Sequence, residues 1–299
     1  MLRFPDDDAR ALRALPSPPL DLEGPALEAA VDAHIAALRH ARVGEAAKRG
    51  VLARLHAELD RAIRTDRPEH LDERDFPAEE KLRIVGALHG MNLALGSYWR
   101  MTRVLRPLVE DVARRLGRPA RLLELASGSG ELALALGREI RRAGLPVEVT
   151  GSDYVAEYVE AGRAKARARG LPVCFEVVDA FDMQRLEAGR FDLVFIAQSV
   201  HHFGAGQLAR MVSESRRVAT TAFVAIDGRR SLKLLAFLPL SATLGMRRSF
   251  VHDAMLSGRK LYPASELAEI ARLGAGDAQI EVRHDRPGYH VLVARWDAR

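Results

Sequence analysis

The stretch Leu122–Glu131 combines residue types that can hold a small ligand against the polypeptide backbone. Its sequence is Leu-Leu-Glu-Leu-Ala-Ser-Gly-Ser-Gly-Glu, and an alanine-rich run follows. The apolar residues predict a strand, Gly128 and Gly130 predict a tight turn, and the following run predicts a helix. Glycine is suited to such a turn because a Cβ would keep a ligand away from the backbone. The helix behind the turn offers free N–H groups, so we expect a ligand site at this loop.

Two acidic residues flank the loop and narrow the choice of ligand. Glu124 lies in the strand just ahead of it, where a carboxylate can accept from an ammonium group directly or through water. Glu131 begins the helix, where its charge would repel a pyrophosphate. Residues Gly128–Ala133 also satisfy the loose G-x-G-x-x-[G/A] pattern of dinucleotide-binding proteins. The acids favour a nucleoside without a pyrophosphate; the alternative for Glu124 is a salt-bridged residue at a strand end.

Two further acids end the next two predicted strands. Asp153 lies 23 residues beyond Gly130 and is followed by Tyr154, and at that distance an acid reaches a pair of ribose hydroxyls in such folds. Asp179 can accept from the exocyclic amine of an adenine, with Ala180 as an apolar neighbour. Its alternative role is that of a helix N-cap.

At these positions the sequence resembles the class I (Rossmann-like) S-adenosylmethionine-dependent methyltransferases. Their usual first motif is an acid, an apolar residue and a Gly-x-Gly-x-Gly run. Glu124 stands in place of the acid, Gly128 and Gly130 match the last two glycines, and Ala126 replaces the first. The resemblance covers residues 119–296, including a final hairpin that nicotinamide-binding domains usually lack.

The resemblance implies S-adenosyl-L-methionine as the cofactor. The loop and Glu124 would hold its methionine end, Asp153 its ribose, and Asp179 with Ala180 its adenine. The full set of expected cofactor-binding residues is Glu124, Ala126, Gly128, Gly130, Asp153, Tyr154, Asp179, Ala180, Gln198 and Arg100.

Two histidines follow the fourth predicted strand, in the segment Ile196–Phe203. This segment leaves the carboxyl edge of the sheet beside the expected cofactor, and many small-molecule methyltransferases carry a similar histidine pair here. His201 and His202 are the candidate catalytic residues, because a histidine can remove a proton from a phenol or an acidic carbon. The alternative for each is a cap on the next helix or a place in the hydrogen-bonded interior. The absence of an Asn-Pro-Pro-Tyr run argues against enzymes that methylate amino groups of nucleic acid and protein.

The segment His89–Arg100 resembles the region before the sheet in ubiquinone and menaquinone biosynthesis C-methyltransferases, where it folds over the cofactor. The resemblance implies that Tyr98 and Trp99 cover the substrate and that Arg100 lies near the cofactor carboxylate. The alternative is an amphipathic helix with Arg100 in solvent. Residues 229–260 are expected to form a second cover, from which His252 can reach an acceptor.

The pattern of the chain changes near residue 119, from helices to alternating strands and helices. We therefore expect an α/β fold: a doubly wound, Rossmann-like, seven-stranded sheet with a terminal antiparallel hairpin, preceded by an all-helical region. The expected divisions are a flexible arm at 1–23, a helical cap at 24–118 and the cofactor-binding domain at 119–299. Predicted strands are 122–125, 147–151, 173–178, 193–197, 222–226, 279–283 and 289–296; predicted helices are 27–38, 51–63, 78–88, 93–116, 131–143, 155–169, 205–218 and 263–273.

Composition excludes several classes of protein. The net charge of +5 comes from 45 basic and 40 acidic residues scattered along the chain, whereas a nucleic-acid footprint needs clustering, so no nucleic-acid partner is expected. A single cysteine, Cys174, points to a reducing cytoplasm. The apolar stretch 232–244 is too short to span a bilayer. No metal site is expected, because the histidines lack paired ligand spacing.

The sequence therefore predicts S-adenosylmethionine-dependent methyl transfer to the oxygen or carbon of a small molecule, with a phenolic or polyketide-like acceptor preferred. An NAD(P)-dependent oxidoreductase is the first alternative, supported by the glycine loop and Asp153. A catalytically inactive, methyltransferase-like partner protein is the second. The N-terminal helices, rich in alanine and arginine, can pair two copies into a homodimer.

Overall fold

A computed structural model describes residues 5–73, 75–231, 235, 248–285 and 288–296. The helices are α1 Pro5–Ala14, α2 Gly24–Ala47, α3 Val51–Ile63, α4 Ala78–Ala94, α5 Ser97–Leu116, α6 Glu131–Ala143, α7 Ala156–Ala168, α8 Ala205–Val218, α9 Arg248–Lys260 and α10 Ala264–Ala275. The strands are β1 Ala120–Leu125, β2 Val147–Asp153, β3 Val173–Val177, β4 Phe191–Ala197, β5 Ala219–Gly228, β6 Gln279–Asp285 and β7 Tyr289–Arg295. A short 3-10 turn, Val200–His202, follows β4.

The seven strands form one mixed sheet in the order β3-β2-β1-β4-β5-β7-β6. Strands β1 to β5 pair in parallel, whereas β7 runs antiparallel to both β5 and β6. The chain reverses its direction of winding between β1 and β4. Ligands of such sheets bind beyond the carboxyl ends of the strands at this point. The predicted α/β class, the seven strands and the terminal hairpin are confirmed.

Helices cover the sheet on both faces, which explains its apolar strands. One hydrophobic core includes side chains of α2, α8 and α10, and the other includes side chains of α5, α6 and α7. The central strand β4 is buried over the six residues Phe191–Ile196. A strand with both faces covered needs apolar residues at nearly every position rather than at alternate ones.

The expectation of a loose arm at residues 1–23 is wrong over Pro5–Ala14, which form α1. Ala11 is buried, and so are the acids Asp7 and Asp8. Asp8 pairs with Arg42 of α2, and Asp7 pairs with Arg49, just after the end of α2. The acidic side chains of this segment are therefore the groups that attach it to the rest of the protein.

The ion pair of Asp8 belongs to a larger buried group of charges, Asp8, Arg42, Asp60, Arg230 and Glu266, here called the Arg42 cluster. Arg42 contacts the carboxylates of Asp8, Asp60 and Glu266. Arg230, just after β5, contacts Asp60 on α3 with N–O distances of 2.8 and 2.9 Å. Because each charge is buried, each depends on these partners. The cluster joins α1, α2, α3 and α10 to the end of β5.

Two local predictions need correction, and a third is only partly described. The helix predicted at 93–116 is interrupted, because Leu95 and Gly96 separate α4 from α5 and Gly96 adopts a φ of 64°. Cys174 lies within a predicted strand, which favours a small buried hydrophobe, but it is exposed on the edge strand β3. Part of the expected cover at 229–260 is α9, whereas residues 232–234 and 236–247 lie outside the described residues, as do 286 and 287 of the hairpin turn. Over the described chain, none of the helices combines the length and apolarity needed to cross a membrane.

Helix α8 packs on α2 at Gly206. A Cβ there would lie 2.1 Å from the backbone oxygen of Glu28, and backbone cannot yield as a side chain tip can. Gly206→Ala is therefore expected to lower the free energy of unfolding by roughly 2 kcal/mol or more. Urea denaturation measures the change. The control is Gly44→Ala on α2, where the new methyl group meets open space. Its free energy of unfolding should rise by about 1 kcal/mol, because alanine favours a helix more than glycine does. Equal stability of the two variants would contradict the close packing of α8 on α2.

Candidate functional site

The glycine loop between β1 and α6 adopts an unusual backbone conformation. Ala126, Gly128 and Gly130 have φ angles of 49°, 53° and 78°. Ser127 N–H donates to the Ser152 carbonyl at 2.8 Å, and Gly130 N–H donates to the Ser127 carbonyl at 2.9 Å. The loop is therefore tied to the end of β2, and Ala126 occupies a left-handed conformation that favours glycine.

Ala126→Gly tests the strain at this position. An L residue in the left-handed region costs about 1–2 kcal/mol, whereas glycine loses about 0.4–1 kcal/mol through the greater freedom of the unfolded chain. The free energy of unfolding of the variant is therefore expected to equal that of the natural protein or to exceed it by about 0.5 kcal/mol. Urea denaturation decides, and a clear loss of stability would contradict the conformation described.

Phe175 on β3 supports the loop, although no sequence pattern singled it out. A Cβ added at Gly130, Gly151 or Gly162 would lie 2.1, 2.5 or 2.6 Å from the Phe175 ring. The ring thus fills the space left by three glycines from the loop, β2 and α7. Backbone and ring together hold the loop in a close-packed arrangement.

Glu124 is a buried carboxyl group near the carboxyl end of β1. Its side chain is 3% exposed, and its Oε2 atom has no hydrogen-bond partner among the described residues. Burial raises the pKa of Glu124 to about 8; an N–H group from Ala133 opposes this and the Asp153 carboxylate adds to it. The alternative of a salt-bridged strand end is therefore wrong for the described chain. A buried acceptor without a donor suits a cationic ligand group.

Asp153 ends β2 and accepts two backbone N–H groups. Gly128 donates to its Oδ2 at 2.8 Å and Val155 to its Oδ1 at 3.0 Å. Burial raises the pKa of Asp153, and these N–H groups oppose the rise. Each carboxylate oxygen has two lone pairs, so Asp153 can hold the loop and still accept from a ribose. Its neighbour Tyr154 is 77% exposed.

Glu131 begins α6, but its charge is not free to repel an anion. Lys165 donates to it at 2.7 Å, and Arg169 and His89 lie 3.7 and 3.9 Å away. Burial alone would raise its pKa, but these cationic partners lower it overall. The argument from Glu131 against a pyrophosphate is therefore weaker than the sequence suggested.

Asp179 and Ala180 follow β3 at the same edge of the sheet. Asp179 is exposed and accepts the N–H of Phe181 at 2.8 Å, in a turn. No helix of the described chain begins here, so the alternative of a helix N-cap is wrong. The Phe181 ring meets the Phe203 ring edge-on, with centroids 5.5 Å apart. The two rings thus form an apolar surface near the carboxyl ends of β3 and β4.

Gln198 follows β4 with a φ of 58°. Its side-chain amide donates to Asn92 Oδ1 on α4 at 2.8 Å. The interaction joins the helical cap to the end of the sheet beside the glycine loop. Gln198 thus lies at the carboxyl edge of the sheet, as expected, and one N–H of its side-chain amide is bonded to Asn92 of the helical cap.

His201 is held by a carboxylate that the sequence reasoning missed. Its Nδ1 lies 2.8 Å from Asp227 Oδ2, and its backbone N–H donates to the same oxygen at 2.9 Å. Burial lowers the pKa of His201, but the buried Asp227 carboxylate more than offsets this and the pKa is raised overall. With Nδ1 bound to Asp227, Nε2 is the nitrogen left to meet a ligand.

His202 lies beside His201, with ring centroids 4.5 Å apart. Its Nδ1 is 3.4 Å from Asp72 Oδ1 and 4.0 Å from Glu69 Oε1. Lys260 Nζ lies 3.2 Å from the same Glu69 oxygen. The helix after the histidines is capped by Gly204 and Gln207 instead, so the interpretation of either histidine as its cap is wrong.

The cap contributes Tyr98 and Trp99 to a cavity of about 210 Å³ between α4, α5 and α6. Tyr98 Oη is 3.1 Å from His89 Nδ1. Burial raises the pKa of Tyr98 to about 12, and the nearby Glu131 and Glu124 carboxylates add to this. Among the described residues, the arginines that line this cavity are Arg138 and Arg142, and Arg100 does not line it.

His252 lies in a separate group on α9. Its ring stacks on His70 with centroids 4.2 Å apart, and its Nδ1 is 3.1 Å from Asp253 Oδ1. Asp253 also accepts the backbone N–H groups of His70 and Leu71. His252 is thus packed against the connection between α3 and α4.

Four polar residues of the site escaped the sequence reasoning: Asn92, Asp227, Glu69 and Asp72. Asp227 carries the same signal as Asp153, an acid at the end of an apolar strand, and could have been found. The other three lie in helical or irregular segments. Their place depends on how the cap folds onto the sheet.

Comparisons with known proteins agree with this geometry. Residues 122–221 match the family described as "Methyltransferase domain". The demethylmenaquinone methyltransferase of Thermus thermophilus is 36% identical over 110 residues, 35% of this chain and 48% of the relative. The release factor glutamine methyltransferase of Agrobacterium fabrum is 30% identical over 132 residues, 41% of this chain and 44% of the relative. The chain thus spans about half the length of these curated relatives.

A solved structure is similar over most of its length. The plantazolicin methyltransferase BamL, in complex with a triazolic desmethylPZN analog and SAH, superposes with a TM-score of 0.55 at 12% identity, covering 80% of this chain and 98% of that one. At this identity the likeness concerns the fold. With the sheet order and the glycine loop, the comparisons lead to one conclusion: residues 122–221 match a methyltransferase domain, and the fold that contains them is of the Rossmann-like methyltransferase type.

Proposed function

We propose that the protein binds S-adenosyl-L-methionine and transfers its methyl group to a small-molecule acceptor. The observation that carries the proposal is the buried carboxyl group of Glu124, whose Oε2 lacks a hydrogen-bond partner among the described residues. An amino-acid ammonium group is the kind of donor that would complete it, and a nicotinamide dinucleotide carries no such group.

The residues around the loop suit the other parts of this cofactor. Asp153, at the end of β2, has acceptor capacity left for ribose hydroxyls. Asp179 and Ala180, next along the sheet edge, are suited to an adenine. Tyr98 and Trp99, which line the cavity beside α6, would cover the site. Arg100 stays the predicted partner of the cofactor's carboxylate, and Arg138, which lines the same cavity, is a second candidate. The part of Gln198 would be to hold Asn92 and the cap in place.

The bound cofactor would supply a methyl group on a sulfonium, which is already a good leaving group. The chain's own residues then have to align the acceptor and exclude water. His201 would accept the acceptor's proton at Nε2, because Asp227 holds Nδ1 and fixes the ring. An acceptor that must lose a proton is a hydroxyl or an activated carbon, so O- or C-methylation of a phenolic or polyketide-like compound is the finer proposal.

His202 and His252 have weaker support as groups that act on an acceptor. His202 faces Asp72 and Glu69, and His252 is stacked on His70. A homodimer through the N-terminal helices stays a prediction; the apolar residues Val51, Leu52 and Leu55 exposed on α3 are the surface that it would use. A nucleic-acid substrate is not proposed, because the chain lacks the Asn-Pro-Pro-Tyr run.

Asp227→Asn tests the proposed part of His201. The amide cannot hold the ring in the same protonation state, so turnover of a phenolic acceptor found by screening is expected to fall about 10²- to 10⁴-fold. Cofactor affinity should stay within about twofold, because Asp227 contacts His201 and not the glycine loop. Undiminished turnover would rule out the proton transfer.

The proposed function is tested by calorimetric titration of the purified protein with S-adenosylmethionine and, separately, with NADH. Binding of the former alone supports the proposal and justifies the acceptor screen. Binding of NADH alone would overturn it in favour of an oxidoreductase. Binding of neither would favour a methyltransferase-like partner protein without activity.

A further inference from the structure

A second group of side chains lies beside the proposed acceptor site and has the composition of a metal centre. Glu69, His201 and His202 each offer a ligand atom, and these atoms lie within 4.8 Å of one another. They come from two distant segments, the connection between α3 and α4 and the turn after β4. The sequence predicts no metal site because this juxtaposition arises only when the cap folds onto the sheet.

The two histidines have coordinating nitrogens to spare. His201 uses Nδ1 for Asp227, which leaves Nε2; imidazoles that bind metals commonly hold a carboxylate through the other nitrogen in this way. His202 Nδ1 is buried, and the nearest carboxylate oxygen, that of Asp72, is 3.4 Å away. That distance is too long for a strong hydrogen bond. Both rings can therefore accept a cation.

The charges around the group favour a divalent ion. Three carboxylates, Glu69, Asp72 and Asp227, face the two imidazoles, and one cation, Lys260, lies among them. Lys260 Nζ is 3.2 Å from Glu69 Oε1 and 3.6 Å from Asp72 Oδ2. With neutral imidazoles the group carries three negative charges and one positive charge, a balance of −2. Lys260 is the direct competitor of a metal ion for Glu69.

We propose that Glu69, His201 and His202 bind a divalent transition-metal ion of the zinc type, with Asp72 as a further oxygen ligand and with Lys260 displaced from Glu69. Two imidazole nitrogens with one or two carboxylates suit Zn²⁺, Co²⁺ or Fe²⁺, whereas Mg²⁺ and Ca²⁺ prefer oxygen ligands alone. The bound ion would join the α3–α4 connection of the cap to the end of β4.

The metal site goes beyond the proposed function, and because it shares His201 Nε2 with the proposed proton transfer, the two cannot operate at the same time. An ion at Nε2 would exclude a proton there, so the same histidine would then act as a ligand and not as a base. In that state the acceptor's oxygen would bind the ion directly, and the ion would take over from His201 the role of favouring loss of the proton. The test is therefore made without cofactor or acceptor, so that its failure leaves the cofactor titration unaffected.

The experiment is a Co²⁺ titration followed by visible absorption, with Zn²⁺ in competition, on untagged protein treated with a chelator. All variants carry Cys174→Ser, because an exposed thiol also binds these ions. We expect one ion per chain, displaced by Zn²⁺. His202→Ala and Glu69→Gln should each weaken binding at least about tenfold. Circular dichroism checks that both variants fold. His202→Ala is expected to disturb the fold less than Glu69→Gln, because His202 lies at the edge of the group.

Two further variants make the result specific. His252→Ala removes a histidine of the neighbouring group His70, His252 and Asp253, and it should leave the affinity unchanged within twofold. Lys260→Met removes the competing cation and should tighten binding several-fold. The proposal is overturned if Co²⁺ does not bind below millimolar concentration, if His202→Ala and Glu69→Gln bind it as the parent does, or if Lys260→Met weakens binding.

Discussion

Replacing Glu124 with glutamine is expected to weaken the binding of S-adenosylmethionine about 10- to 100-fold. A hydrogen bond between a buried carboxylate and an ammonium group contributes about 1.5–3 kcal/mol, and the amide of glutamine keeps the shape of the side chain while losing its charge. Calorimetry measures the affinity of both proteins. Equal affinity would show that Glu124 does not receive the ammonium group.

The same variant should change how stability depends on pH. The pKa of Glu124 is raised from its ordinary 4.5 to about 8 in the folded protein. Between these values the folded state holds a proton that the unfolded state has released, so the contribution of Glu124 to stability falls as pH rises through this window. Glutamine has no such proton, so Glu124→Gln should be more stable than its parent at pH 8.5 and similar to it near pH 4.

Urea denaturation at the two pH values measures this effect, which is on the order of 3 kcal/mol between pH 5 and pH 8. Glu148→Gln, at an exposed position on β2, is the matched control and should follow the parent at both pH values. Loss of stability by Glu124→Gln at pH 8.5 would contradict the unpaired, buried state of this carboxyl group.

Replacing Arg42 with methionine is expected to cost roughly 3–5 kcal/mol of unfolding free energy. Removing one member of a buried ion pair leaves the other as an uncompensated charge. In the Arg42 cluster, Arg230 would still serve Asp60, and Arg39 would still donate to Glu266 at 2.8 Å. Among the residues that the structure describes, Asp8 would keep only its contact with Ser265, so the attachment of α1 should weaken most.

Urea denaturation and limited proteolysis together measure the result, since α1 should become accessible to protease. Arg49→Met is the matched control: Arg49 pairs with the buried Asp7 of α1 but is itself 42% exposed, and Asp7 would keep Arg10 at 3.2 Å. Its loss should therefore be smaller, about 1 kcal/mol. Similar losses for the two variants would contradict the assignment of α1 and the cluster as a buried, cooperative unit.

The sheet and most helices could be predicted because each follows from a local pattern. Strand β4 is a continuous apolar run, and α6 begins at the residue after the glycine turn, so neither depends on distant contacts. The break between α4 and α5 was missed because Gly96 lies inside a run that otherwise fits a helix. Helix α1 was missed for another reason: Arg42 and Arg49, which pair with its buried acids, lie on α2 and just after it, far along the chain.

The cofactor side of the site could be predicted better than the acceptor side. Glu124, Asp153 and Asp179 lie at the ends of successive strands, and parallel strands bring such ends to one edge. Glu69, Asp72 and Asn92 reach the same edge from the cap, and no periodicity states how the cap folds. The place of Arg100 near the cofactor carboxylate stays a prediction, because it rests on a resemblance and not on a local pattern.

The most direct test of the central claim is the number of protons released when S-adenosylmethionine binds at pH 6.5. At this pH the Glu124 carboxyl group, with its pKa of about 8, holds a proton, and the free ligand is an ammonium ion. Calorimetry in buffers of different ionisation enthalpy counts the protons. We predict that the natural protein releases close to one proton and that Glu124→Gln releases none. Binding without proton release, or with the same release in both proteins, would contradict the claim that Glu124 holds the cofactor's ammonium group.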